Sequence, residues 1–135
     1  MSREEKGLLS NQKGFTLIEI IAVLVILGIL AAVAVPKYLD MQADAKKMAA
    51  AGQASELKGT LNSAWGKAFM AKGSAPTVGE VTNNANLGNS GNVGTAPDIW
   101  AYTTNTVGNV VTITVVSRNG DASYTNSTTW TLPAQ

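Results

Sequence analysis

From Phe15 to Val35 the chain reads FTLIEIIAVLVILGILAAVAV, and no other stretch of the 135 residues limits the fold as much. Only Thr16 and Glu19 interrupt its apolar character. Its length, at about 1.5 Å of rise per residue, gives a helix of about 31 Å, the hydrocarbon thickness of a bilayer. The packed helix of a small soluble domain keeps a polar face, and from Ile20 to Val35 there is none. A chain this short leaves too little protein to cover such a helix on all sides. The expectation is one membrane-compatible helix and one modest domain.

Composition removes several function classes. Ten basic and nine acidic side chains leave a formal charge of +1, and there is neither histidine nor cysteine. The near-neutral remainder carries no electrostatic footprint for nucleic acid. Without cysteine there is no disulfide and no thiolate metal site, and without histidine the commonest general base and zinc ligand are missing. No nucleophile–base pair, phosphate-cradling glycine loop or metal cluster stands out. The chain is therefore not expected to be an enzyme, and no cofactor is expected.

The leader Met1–Gly14, MSREEKGLLSNQKG, sets Arg3, Lys6 and Lys13 against Glu4 and Glu5. In a secretory signal the apolar run precedes a small-residue cut site. Here the polar segment comes first, and the apolar run follows directly on Lys13-Gly14. The sequence Lys13-Gly14-Phe15-Thr16-Leu17-Ile18-Glu19 resembles the processing motif of type IV pilins and type II secretion pseudopilins, and the likeness continues through Gly28 to Pro36.

That resemblance implies a prepilin peptidase and methylase that cuts between Gly14 and Phe15 and methylates the new Phe15 amine. It implies a single-pass inner-membrane precursor, N-terminus in and C-terminus out, held in lipid until assembly. Subunits are then drawn into a helical homo-oligomeric filament by an inner-membrane platform that a separate ATPase drives. The filament is an extracellular pilus or a periplasmic pseudopilus. The fold implied is α+β and type IV pilin-like, a long N-terminal helix packed against a small antiparallel sheet of about three strands.

The residues carry matching physics. Glu19 lies one turn from Phe15, on the same helical face, where a carboxylate meets the positive end of the helix dipole. A carboxylate at the edge of hydrocarbon is either solvated at headgroup depth or paired, and the candidate partner is the Phe15 amine of a neighbouring subunit. Gly28 and Pro36 are the candidate points of helix flexibility. Proline lacks an N–H and crowds the carbonyl four residues back. Good helix formers at Leu30, Ala31 and Ala32 predict a continuous helix in the monomer, and the family resemblance implies local melting between Gly28 and Pro36 in the polymer.

After Pro36 the pattern turns amphipathic. Leu57, Leu61, Trp65 and Phe69, at four-residue spacing, are the expected helix–sheet stripe, and Gly73 with Pro76 ends the helix. The plan is then a leader over 1–14, a membrane and filament-core helix over 15–35, an amphipathic helix over 36–72, an Asn/Gly-rich loop over 73–98 and an antiparallel sheet over 99–135. Gly108-Asn109 and Asn119-Gly120 are hairpin signals. Asp98 and Asp121 supply hard oxygens and are the candidates for calcium, although each also suits a strand start or a turn.

Three functions follow: a structural subunit of a type IV pilus serving adhesion, motility or uptake; a pseudopilin of a type II secretion system; and a membrane-anchored binding module that does not polymerise. The stretch Pro36-Lys37-Tyr38-Leu39-Asp40-Met41-Gln42 resembles pilins of the mannose-sensitive haemagglutinin type and favours the first.

Overall fold

A computed structural model describes residues 14–134, so the expected leader lies, Gly14 apart, outside the described residues. The apolar run and the alanine-rich stretch after it form one helix, α1, Leu17–Lys72, with Pro36 inside it. Alanine, leucine, methionine and lysine dominate its middle and are strong helix formers. Its end is set by Gly73 at φ +66°, whose N–H donates to the Phe69 carbonyl at 2.9 Å. Left-handed backbone of this kind closes a helix at glycine with little strain.

The described residues fall into two compact units that divide between Asp40 and Met41. In the first, every residue from Gly14 to Asp40 is exposed. Here α1 contains an apolar window of mean hydropathy 3.0, none of it buried, long enough to cross a membrane.

In the second unit α1 buries Ala50, Ala54, Leu57, Leu61, Ala64 and Ala68. The steps alternate between four and three residues, which keeps the stripe on one side of a helix with 3.6 residues per turn. This corrects the expected packing stripe. A constant step of four overshoots a full turn by about 40° each time, so Leu57 and Leu61 are buried while Trp65 drifts to the edge and Phe69 beyond it. Trp65 is half-buried, Phe69 is 43% exposed, and their rings stack at 5.4 Å. Small alanines hold the line instead.

The expected loop over 73–98 is also corrected. It contains a short helix, α2, Val78–Asn84, and a strand, β1, Ser90–Thr95. The remaining strands are β2, Asp98–Val107, β3, Val110–Arg118, and β4, Asn126–Thr131. The sheet therefore has four strands rather than three, in the order β1-β2-β3-β4, all antiparallel. β1 escapes a pattern search because SGNVGT has no alternating apolar side; backbone pairing to β2 makes it a strand. A side chain at Gly94, near the end of β1, would collide with the Asp98 carbonyl.

Gly108-Asn109 joins β2 to β3 as a two-residue turn, with Val107 opposite Val110. Asn119 and Gly120 both take positive φ, and Arg118 bridges Asp121 across them, but β4 begins only at Asn126. The turn is instead tied to β2. Asn119 accepts from the Ile99 N–H at 2.8 Å and donates its own N–H to the Ile99 carbonyl at 2.7 Å.

Alternation along β3 turns Val111, Ile113 and Val115 inward, where they meet Trp100 and Tyr102 of β2, Trp130 of β4, and Val78, Val81 and Leu87. Trp130 donates its indole N–H to Asn62 on α1 at 2.7 Å. This long helix on a small antiparallel sheet is the expected α+β, type IV pilin-like architecture.

Candidate functional site

The first functional region is the start of α1. Gly14 and Phe15 precede the helix and are exposed, Phe15 at 83%. Thr16 takes the cap position. Its N–H donates to Glu19 Oε2 at 2.9 Å, while the Glu19 N–H donates to Thr16 Oγ1 at 3.4 Å. This is a reciprocal capping box, which satisfies two of the backbone N–H groups left open at a helix start. The sequence signal for it, Thr-x-x-Glu before an apolar run, stands at 16–19 and assigns Thr16 a part that a search for charge alone misses. Glu19 is exposed, and among the described residues the first cation along the chain is Lys37. Gly28 has nothing within 4 Å of where a Cβ would stand, and it and Pro36 both lie within continuous helix.

A second capping box opens α2. The Thr77 N–H donates to Glu80 Oε2 at 2.6 Å and the Glu80 N–H to Thr77 Oγ1 at 3.3 Å. Here the chain supplies a cation as well, because Lys72 donates to both Glu80 oxygens at 2.8 and 2.9 Å. The Lys72 hydrogen bond, followed by those from Thr77, lowers the Glu80 carboxyl from its ordinary 4.5 to about 2.

A third cluster joins residues far apart in sequence. The Arg118 guanidinium lies 5.2 Å from the Trp100 ring and 5.4 Å from the Tyr124 ring, and donates through Nε to Asp98 at 2.6 Å. The two rings meet edge to face at 5.7 Å. Lys46 of α1 lies 5.2 Å from the Tyr124 ring and 3.0 Å from Asp121. Asp121 also accepts from the Ser123 N–H at 2.9 Å. The hydrogen bonds from Ser123, then Lys46, lower its carboxyl to about 2, and the Asp98 bond raises Arg118 above its ordinary value.

Asp98 and Asp121, the calcium candidates, are thus each held by a cation. Among the described residues no group of three acidic side chains converges. Two carboxylates so engaged do not fit the six to eight oxygens that calcium takes.

Comparison with known proteins bears on the first region. The family described as the prokaryotic N-terminal methylation motif matches residues 9–35. A fimbrial protein of Pseudomonas aeruginosa is 49% identical over 53 residues, 39% of this chain and 34% of that protein. Fimbrial protein Q of Moraxella bovis is 34% identical over 76 residues, 56% of this chain and 45% of its own. A type IV narrow pilus major component of Thermus thermophilus is 37% identical over 87 residues, 64% of this chain and 72% of its own. The chain thus spans about a third to under half of the first two relatives and nearly three quarters of the third. No solved structure matches the chain.

Proposed function

The chain belongs to the type IV pilin family, and from that premise we propose that it is a structural subunit of a type IV pilus, polymerised through its N-terminal helix. One observation carries the reading. From Leu17 to Val35 α1 is apolar except for Glu19 and entirely exposed, and a helix of that kind needs lipid before assembly and neighbouring subunits after it.

In this reading a prepilin peptidase cuts after Gly14 and methylates Phe15. The precursor spans the inner membrane once, N-terminus in and C-terminus out, and an assembly platform driven by a separate ATPase moves it into an extracellular filament. Glu19 pairs with the Phe15 amine of the next subunit and so fixes axial register within an apolar bundle. That pairing is supported by the capping box, which holds Glu19 on the Phe15 side without giving it a cation. Gly28 to Pro36 is where helical order gives way on assembly.

The outer side of α1 in the second unit supports close packing too. Gly52, Gly59 and Gly66 recur every seven residues, roughly half a turn from the buried stripe, with nothing within 4 Å of their missing Cβ atoms. Met41 and Met48 extend the same line and are 61% and 74% exposed. Interior glycines cost a helix about 1 kcal/mol each relative to alanine, so their use on the solvent side fits a surface that another helix must approach.

Mass spectrometry of protein sheared from the cell surface tests the proposal. An N-terminal methyl-Phe15 is expected, and an intact Met1 would overturn it. Deletion followed by filament imaging and a secretion assay separates pilus from pseudopilus: loss of long fibres is expected, whereas a secretion defect with fibres intact would assign the chain to a type II secretion system.

A further inference from the structure

The Arg118–Lys46 cluster borders a groove of about 400 Å³ that the assembly reading does not use. Its lining is Gln42, Ala45, Lys46 and Ala49 on one side of α1, with Arg118 and Tyr124 from the sheet side. The volume lies in the range of small-ligand sites. Each cation is paired with a carboxylate, Lys46 with Asp121 and Arg118 with Asp98, and of these four side chains only the two cations line the groove.

Both cations are fixed before any ligand arrives. Arg118 is tied through Nε to Asp98 and lies against two rings; Lys46 is tied to Asp121, lies against the Tyr124 ring and carries three N–H donors, more than one contact uses. Long charged side chains on an open surface ordinarily keep their rotamer freedom, and here that cost is met within the fold. Beside the cations stand two neutral polar groups, the Gln42 amide and the Tyr124 phenol. Ala45 and Ala49 offer only methyl surface.

We propose that this groove binds a carboxylate of monosaccharide size, a uronic acid being its simplest form. The carboxylate would face the Arg118 fork and Lys46, the sugar hydroxyls would meet Gln42 and Tyr124, and the C–H face would lie on Ala45 and Ala49. A planar anion suits a guanidinium, whose N–H groups form a fixed fork. A single negative charge also leaves the Asp98 and Asp121 pairs in place.

The test uses the full chain in detergent micelles, so it does not depend on polymerisation, and a failed pilus assignment would leave its outcome unchanged. Sodium galacturonate, neutral galactose and sodium acetate are titrated while the ¹⁵N shifts of the Trp100 indole and Arg118 Nε are followed. Saturable binding of galacturonate with a dissociation constant on the order of a millimolar is expected, with galactose and acetate at least about tenfold weaker. Arg118→Gln and Lys46→Gln should each weaken galacturonate at least about tenfold, and Lys67→Gln, on exposed α1 surface, should leave it unchanged. Lys46→Gln keeps the test valid if Arg118→Gln fails to fold. Absence of saturation, acetate binding as well as galacturonate, or unchanged binding in the Lys46 variant would each overturn the proposal. So would self-association that Arg118→Gln abolishes without any galacturonate binding, which would make the occupant an acidic side chain of a second copy.

Discussion

Two helices of this chain open with the same device, and its surroundings separate them. Thr16–Glu19 and Thr77–Glu80 are both reciprocal capping boxes. At Glu80 the chain adds Lys72 and completes the site from within. At Glu19 no described cation is near, and the helix that follows is bare up to Asp40. The same contrast runs along α1, where Leu17–Val35 is uncovered and the stripe from Ala50 to Ala64 is buried in the core it shares with the sheet. The covered half is built to fold, and the bare half to be completed by other molecules.

The largest effect that can break this contrast is a pair of isoleucine truncations. Ile113→Ala, at a fully buried position, should cost about 2–5 kcal/mol and lower the thermal midpoint of the micelle-solubilised chain. Ile26→Ala, at a position 58% exposed, should change stability by no more than about 0.5 kcal/mol. Equal losses from the two would mean that the bare half is packed within the monomer after all.

Glutamine keeps a capping box while removing its charge, so Glu19→Gln and Glu80→Gln sharpen the comparison further. Glu19→Gln should lower incorporation into mixed filaments at least about tenfold and leave thermal unfolding unchanged. Glu80→Gln should do the reverse, with normal incorporation and slightly lower stability. Normal incorporation of the Glu19 variant would reduce that residue to a cap.

Acid should weaken the covered unit. Glu80 and Asp121 are held at about 2, below ordinary values of 4.5 and 3.8. Carboxylates lowered by folding stabilise the folded state above their unfolded values, and that contribution is lost as pH falls toward the lowered ones. Thermal midpoints should therefore decline between pH 4.5 and 2 and recover on return to neutral pH, with a shallower slope in Glu80→Gln. An identical slope in that variant would remove Glu80 from the account.

The smallest effect concerns the glycine lane. Gly59→Ala should raise helix stability by up to about 1 kcal/mol yet slow filament growth, because the added methyl stands where a neighbouring backbone would come. Faster or equal growth would show that the lane is mere surface.

Much of this architecture could be read from residue order. The bare helix follows from an unbroken apolar run, and β3 from the alternation of Val111, Ile113 and Val115. The stop at Gly73, the Gly108-Asn109 hairpin and the turn at Asn119-Gly120 follow from local chemistry, whereas the delay of β4 to Asn126 does not. What escaped depends on distant partners. β1 has no apolar alternation of its own, and α2 is too short for a periodic signal, although Thr77 and Glu80 mark its start. The drift of Trp65 and Phe69 off the packing face needed the helical period applied strictly. The Lys46–Arg118 groove joins residues more than seventy positions apart, and no local spacing announces it.

The bond from Trp130 to Asn62 gives the molecule its own gauge. It fastens an indole that is itself 2% exposed across the seam where α1 meets the sheet. If the two layers part, during acid treatment or while a subunit is forced into a fibre, the freed ring meets solvent and its emission moves to the red. Excitation of tryptophan can therefore report whether the head stays shut while the stalk is handled, without any dye or label.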